Sequence, residues 1–119
     1  MPSRRTPKKG SKYYLGHYEF FAMANICLNY DEYEEELLEL KQKPDQSEAD
    51  RARFDRVARI LQGIHKCIRE CGEGMDKYLF ENVCHAVPTT KLIEAGMPMN
   101  RNMFSGIRTH FYYCLSRTI

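Results

Sequence analysis

Residues 44–71 read "PDQSEADRARFDRVARILQGIHKCIREC". Pro44 ends whatever helix precedes it, because the residue before a proline avoids the helical region. Asp45 or Ser47 then stands where a new helix needs a cap. Glu48 and Asp50 suit the first turn, where carboxylates complement the helix dipole. Phe54, Val57, Ile60, Leu61, Ile64, Cys67, Ile68 and Cys71 follow at spacings of three and four, one apolar stripe on a helix running to about Cys71. Glycine in "CGEGM" (71–75) stops it.

The same period extends upstream. From about Tyr14 to Gln42, Phe20, Phe21, Met23, Ile26, Cys27, Leu28, Tyr30, Tyr33, Leu37, Leu38 and Leu40 form a stripe beside a glutamate-rich surface, predicting a single helix. Two amphipathic helices joined by a short loop with proline predict an antiparallel helical hairpin over 13–72. Downstream, a short helix is expected from Asp76 to about Ala86, with Tyr78, Leu79, Phe80 and Val83 apolar. After Val87-Pro88, Thr89 or Thr90 is placed to cap a brief helix, Lys91 to Ala95. Gly96 and Pro98 make a tight connection. Asn100 or Asn102 is placed to cap a last helix reaching about Arg117. No strand alternation appears. The expected fold class is all-α: a hairpin over 13–72, then a helix–turn–helix bundle over 73–119, one compact domain from 13 to 119 behind a disordered basic arm, 1–12.

Charge is segregated along the chain. Residues 1–12 carry Arg4, Arg5, Lys8, Lys9 and Lys12 and no acid, a charge of +5. Residues 31–50 carry nine acids against Lys41 and Lys43, a charge of −7, whereas residues 88–119 are at +3. Basic ends around an acidic segment suit contact between the ends and a polyanion. No apolar run nears the roughly 20 residues that span a bilayer, and the basic start has no apolar stretch behind it, so the expected setting is cytoplasmic, without a membrane partner. Cys27, Cys67, Cys71, Cys84 and Cys114 fall in apolar or amphipathic segments, as reduced, buried thiols do.

Catalytic and cofactor chemistry finds little footing. Cys67 and Cys71 share a helix face that His65 does not, and the CxxC knuckle of structural zinc sites is absent, so buried thiols are expected rather than a metal, even with Cys84-His85 nearby. No base and orienting acid are fixed beside a nucleophile. "CGEGM" follows a helix where a phosphate loop follows a strand. Neither an enzyme nor a cofactor is expected.

The end of the chain has the grammar of a helix–turn–helix. Leu92 and Ile93 belong to the first helix. Met97 and Met99 turn inward around Pro98. Met103 or Phe104, Ile107, Phe111 and Leu115 form the core side of the second helix. Arg101, Asn102, Ser105, Arg108, Thr109 and Tyr112 are left for its other face. Arginine pairs with guanine edges and asparagine with adenine, while a helix N-terminus favours a phosphate oxygen. "MPMNRNMFSGIRTHFYYCLS" (97–116) resembles the C-terminal segment of phage-encoded RinA/ArpU-like transcriptional regulators and is similar to the fourth-region DNA-binding module of sigma factors. Met99, Asn100, Arg101, Phe104, Arg108, Phe111, Tyr112 and Leu115 look like that family's recognition-helix positions, with Ile93 and Met97 matching the helix and turn before it. Ser105 and Gly106 stand where the family often has Tyr and Arg, and Leu92 where it usually has Ala.

The resemblance implies a DNA-binding transcriptional regulator. Its candidate DNA contacts are Lys91, Asn100, Arg101, Asn102, Ser105, Arg108 and Thr109, with the basic arm following phosphates. Duplex DNA is the expected partner, RNA polymerase or another protein a further candidate, and a homodimer would cover apolar hairpin positions left open. The competing expectation is a protein-interaction module, an antirepressor or inhibitor, whose acidic helix (Asp31 to Glu39) imitates phosphate toward a nucleic-acid-binding partner.

Overall fold

The computed structural model describes residues 12–119, and every regular element among them is a helix. In chain order these are α1 (His17–Leu28), α2 (Tyr30–Gln42), α3 (Glu48–Cys71), α4 (Asp76–His85), α5 (Thr89–Glu94) and α6 (Arg101–Thr118). The chain is all-α, as its apolar periodicity predicts. The arm expected over 1–12 lies outside the described residues apart from Lys12.

Helix α3 is the spine. Of the two caps its sequence offers, Ser47 is the one used: its hydroxyl accepts from the Asp50 amide at 3.1 Å, and the Asp50 carboxylate accepts from the Ser47 amide at 3.2 Å. This reciprocal box satisfies two donors that a helix start otherwise leaves open. Lys43 adds an ion pair to Asp50 at 3.0 Å, and that hydrogen bond is the main reason the Asp50 carboxyl titrates below its ordinary range. The stripe read from the sequence is buried from Val57 onward: Val57, Ile60, Leu61, Ile64, Cys67, Ile68 and Cys71 all face inward, while Phe54 at its start is half-buried. Helix α2 lies antiparallel to α3, tied by Arg53 to Glu36 at 2.8 Å and by the Tyr30 hydroxyl to His65 Nε2 at 2.5 Å.

The segment expected as one helix from Tyr14 to Gln42 is two, and it starts later. Tyr14 to Gly16 are outside the helix, with Leu15 buried, and α1 begins at His17. The break falls at Asn29, whose backbone (φ −92°, ψ 11°) leaves the helical region. Its amide N–H is shared between the carbonyls of Asn25 and Ile26, both at 3.2 Å, and its side chain donates to the Asn25 carbonyl at 3.1 Å. A short amide side chain competing for the backbone in this way is what makes asparagine a poor interior helix residue. Apolar spacing does not register the break because the stripe resumes at once with Tyr30. Its consequence is large: α1 does not extend the α2–α3 pair but packs on α6, where Phe20 meets Tyr112 edge to face at 5.1 Å.

Helix α6 also packs along α3. Phe104, Phe111, Tyr112 and Leu115 are fully enclosed there, and Leu79 and Val83 of α4 complete the same core. The turn from α3 to α4 depends on Gly72. A Cβ on that residue would lie 2.6 Å from the Ile68 carbonyl oxygen and closer still to the Asp76 carboxylate. Backbone cannot yield as a flexible side-chain tip can. Gly72→Ala is therefore expected to lower unfolding free energy by about 1–3 kcal/mol in urea denaturation, the usual range for overpacking.

Candidate nucleic-acid interface

The route into α6 is set by two local devices. Helix α5 starts directly after Pro88, whose carbonyl accepts from the amides of Lys91 and Leu92; neither Thr89 nor Thr90 caps it, contrary to the expectation from sequence. Proline fills the entry instead, since it has the extended backbone a cap requires and no N–H to satisfy. At the exit Gly96 takes φ +108°, its amide donates to the Ile93 carbonyl, and the Met97 amide donates to the Leu92 carbonyl, each at 3.0 Å. That pair of bonds is the Schellman closure. It needs a left-handed residue, which glycine supplies without steric cost. Leu92 and Met97, the residues bracketing it, are both buried.

Asn100 then caps α6, its side-chain oxygen accepting from the Met103 amide at 2.9 Å. Asn100 is thus the cap and Asn102 lies in the first turn. Phe104, Ile107, Phe111 and Leu115 take the core side, and Met103, the alternative to Phe104, is 59% exposed. Leu92 is buried, and Ile93 of the same helix faces solvent. One further assignment is corrected. Tyr112, left for the outer face, is buried, because α1 covers that side of α6 with Phe20.

The seven candidate contacts do not share one surface. Arg101 and Asn102 are exposed at the α6 N-terminus, where the first turn contains no acid. Ser105 and Thr109 are half-buried. Asn100 is exposed, but its oxygen is occupied by the cap. Lys91 is exposed on α5 and leans toward Glu94 at 3.6 Å. Arg108 is half-buried and turned toward α4, donating to Asn82 Oδ1 at 3.3 Å. Asn82 is 1% exposed and in turn donates from its amide nitrogen to the Val87 carbonyl at 2.9 Å. By helical periodicity the outward line of α6 instead runs through Asn102, Gly106, Thr109 and Tyr113. Gly106 opens onto empty space: apart from its chain neighbours and the helix's own backbone, nothing lies within 4 Å of where a Cβ would stand.

Several features escaped the sequence reading. Tyr13 stacks on His110 with ring centroids 4.0 Å apart and planes 17° from parallel, which fixes the start of the described chain to the far half of α6. His85 bridges Glu81 at 3.0 Å and Asp31 of α2 at 3.1 Å. Cys114 Sγ lies 3.0 Å from Cys67 Sγ and 3.5 Å from the Glu70 carboxylate. Burial, followed by the neighbouring Cys114 thiol, pushes Cys67 and Cys71 up to about 12, so both stay protonated at neutral pH. Of the metal set weighed from sequence, His65 meets Tyr30, His85 meets carboxylates, and Cys84 is buried. Among the described residues no three His, Cys, Asp or Glu side chains are arranged to hold a metal.

Two clefts flank the spine. One of about 330 Å³ between α2 and α3 is lined by Glu32, Tyr33, Glu35, Glu36, Glu39 and Arg53 and is strongly acidic. The other, about 300 Å³, sets Arg69 and Lys77 against Asp76 and Glu81 over Ile68 and Phe80, so its charges balance. No helix of the described residues is long and apolar enough to cross a membrane. Comparison with family models, curated proteins and solved structures finds no match to the chain.

Two measurements check these placements. Arg108→Ala strips a partner from the buried Asn82 and is expected to cost about 1–3 kcal/mol in chemical denaturation, whereas exposed Arg101→Ala stays within about 0.5 kcal/mol of the parent. The hydrogen bond to Glu81, then that to Asp31, raises the His85 pKa. Folding therefore favours its protonated form. The stabilisation is fully present below the unfolded value of about 6.5 and is lost as pH rises through the folded value. NMR titration of the His85 ring should place its midpoint above that of an unfolded histidine, and Asp31→Asn should lower it.

Proposed function

We propose that the protein is a small DNA-binding transcriptional regulator of phage or mobile-element type, acting in the cytoplasm on duplex DNA, alone or as a homodimer, with RNA polymerase or another protein as a further partner. The observation that carries this reading is the start of α6. An asparagine-capped N-terminus presents Arg101 and Asn102 to solvent with no carboxylate in the first turn, on an 18-residue helix long enough to lie in a major groove. The positive end of the helix favours a phosphate, and the two side chains suit purine edges. The resemblance of residues 97–116 to the RinA/ArpU-like regulators supports the same role.

The residues divide by task. Arg101 and Asn102 read the groove, Ser105 and Thr109 contact its wall, and Lys91 with the basic arm meets phosphates. Arg108 positions α6 through Asn82 and does not read bases. Gly106 costs about 1 kcal/mol of helix stability relative to alanine, and the open surface it leaves lets the backbone of α6 approach the DNA closely.

A second reading rests on the acidic cleft between α2 and α3, which suits a basic protein surface and would make the protein an inhibitor of a nucleic-acid-binding partner. One titration separates the two. Duplex DNA should bind with an affinity that falls steeply with salt, and the Arg101→Ala/Asn102→Ala double variant should weaken it about tenfold or more. A folded protein with no duplex affinity at low salt overturns the DNA reading and favours the acidic one.

A further inference from the structure

Helices α3 and α6 meet through a pair of thiols. Their approach is close: a Cβ on Gly63 would stand 2.8 Å from Cγ2 of Ile119 and 3.5 Å from Cγ2 of Thr118. One turn further along α3, Cys67 Sγ lies 3.0 Å from Cys114 Sγ of α6. The two sulfurs differ in access. Cys67 is fully enclosed, whereas Cys114 is half-buried, with the Glu70 carboxylate 3.5 Å from its sulfur and itself open to solvent. A buried cysteine can serve as a small apolar group, and packing alone accounts for one of them. Two thiols in contact across a helix pair have a chemistry that two aliphatic groups lack, because they can be joined and separated again.

We infer that Cys114 is a site of reversible oxidation by a hydroperoxide and that Cys67 resolves it, closing a disulfide that ties α6 to α3. Cys114 reacts first because a small oxidant reaches its sulfur and not that of Cys67. The Cys114 sulfur attacks one peroxide oxygen and the O–O bond breaks. Sulfur gives up two electrons, and the thiol proton passes by way of Glu70 to the departing hydroxide, leaving a sulfenic acid and water. Burial pushes the Cys67 thiol up to about 12, so it stays inert until that sulfenic acid stands against it. The Cys67 sulfur then attacks the Cys114 sulfur, the S–O bond breaks, and hydroxide leaves with the Cys67 proton as a second water. Cys71, one turn further along α3 and also enclosed, stays reduced. The tie lies in the second half of α6, away from Arg101 and Asn102, and does not rest on the DNA reading.

Mass spectrometry of the full chain tests this, after excess hydrogen peroxide and then alkylation with N-ethylmaleimide in denaturant. The parent should lose two hydrogen atoms and yield its Cys67 and Cys114 peptides joined, while Cys27, Cys71 and Cys84 are alkylated. Dithiothreitol should restore Cys67 and Cys114 to the alkylated set. The joined positions are 47 apart in the chain, so the tie constrains the unfolded state, and the oxidised protein should melt about 10 °C higher than the reduced one. Cys67→Ala removes the resolving thiol, and dimedone should then trap the sulfenic acid on Cys114. Cys114→Ser changes a half-buried side chain by one atom; it should melt as the reduced parent does and no longer respond to peroxide. The inference is overturned if the parent forms no disulfide, if Cys114 is joined to Cys71 or to a second chain, or if Cys114 passes on to sulfinic acid with Cys67 left free.

Discussion

Asn82 makes the contact on which the placement of the last third of the chain depends. Its amide is the buried polar side chain of the described core, and both of its ends are engaged. The nitrogen donates to the Val87 carbonyl and so secures the turn after α4, where Ala86 adopts a left-handed backbone (φ 57°) that residues with a Cβ take only at a cost. The oxygen accepts from Arg108 and so fixes α6 against α4. One side chain thereby ties the turn that leads into α5 and the middle of α6 to the same point of α4, beside the buried Phe104, Ile107, Phe111, Tyr112 and Leu115 that turn α6 inward. A buried amide with either end open would cost more than its bonds contribute when made, so both partners are held firmly.

The buried side of α6 decides which part of that helix faces solvent. With Arg108 turned to α4 and Tyr112 covered by α1, the outward line runs from exposed Asn102 and Gly106 to half-buried Thr109 and Tyr113. Its near end is cationic and capped. Its far end is aromatic and partly covered by Tyr13. The two ends therefore differ in chemistry, cationic at one and aromatic at the other. The acidic surface of α2 belongs to neither, and its charge disfavours any polyanion on that side of the spine.

Helix existence was legible because apolar spacing in α3, α4 and α6 is strong, and caps such as Ser47 and Asn100 satisfy a local need that a few residues express. The Asn29 break was not legible. Apolar residues continue in phase across it, and only the competition of one amide for backbone carbonyls divides the helix. The exposure of the candidate contacts was legible to the same limited depth. Arg101 and Asn102 lie in the first turn, where exposure follows from position alone. Arg108 and Tyr112 lie further along, where exposure depends on α1 and α4, elements distant in sequence that periodicity within α6 cannot report. The Tyr13–His110 stack joins residues almost a hundred positions apart and left no local signal.

The most direct test of this account is a double-mutant cycle on Asn82 and Arg108, using Asn82→Ala, Arg108→Ala and both together, read as unfolding free energy. If their bond holds α6 against α4, the two losses overlap, and the coupling should fall within the roughly 0.5–3 kcal/mol seen for buried partners in contact. Losses that simply add would contradict it, leaving α6 held against α4 without a contribution from this bond.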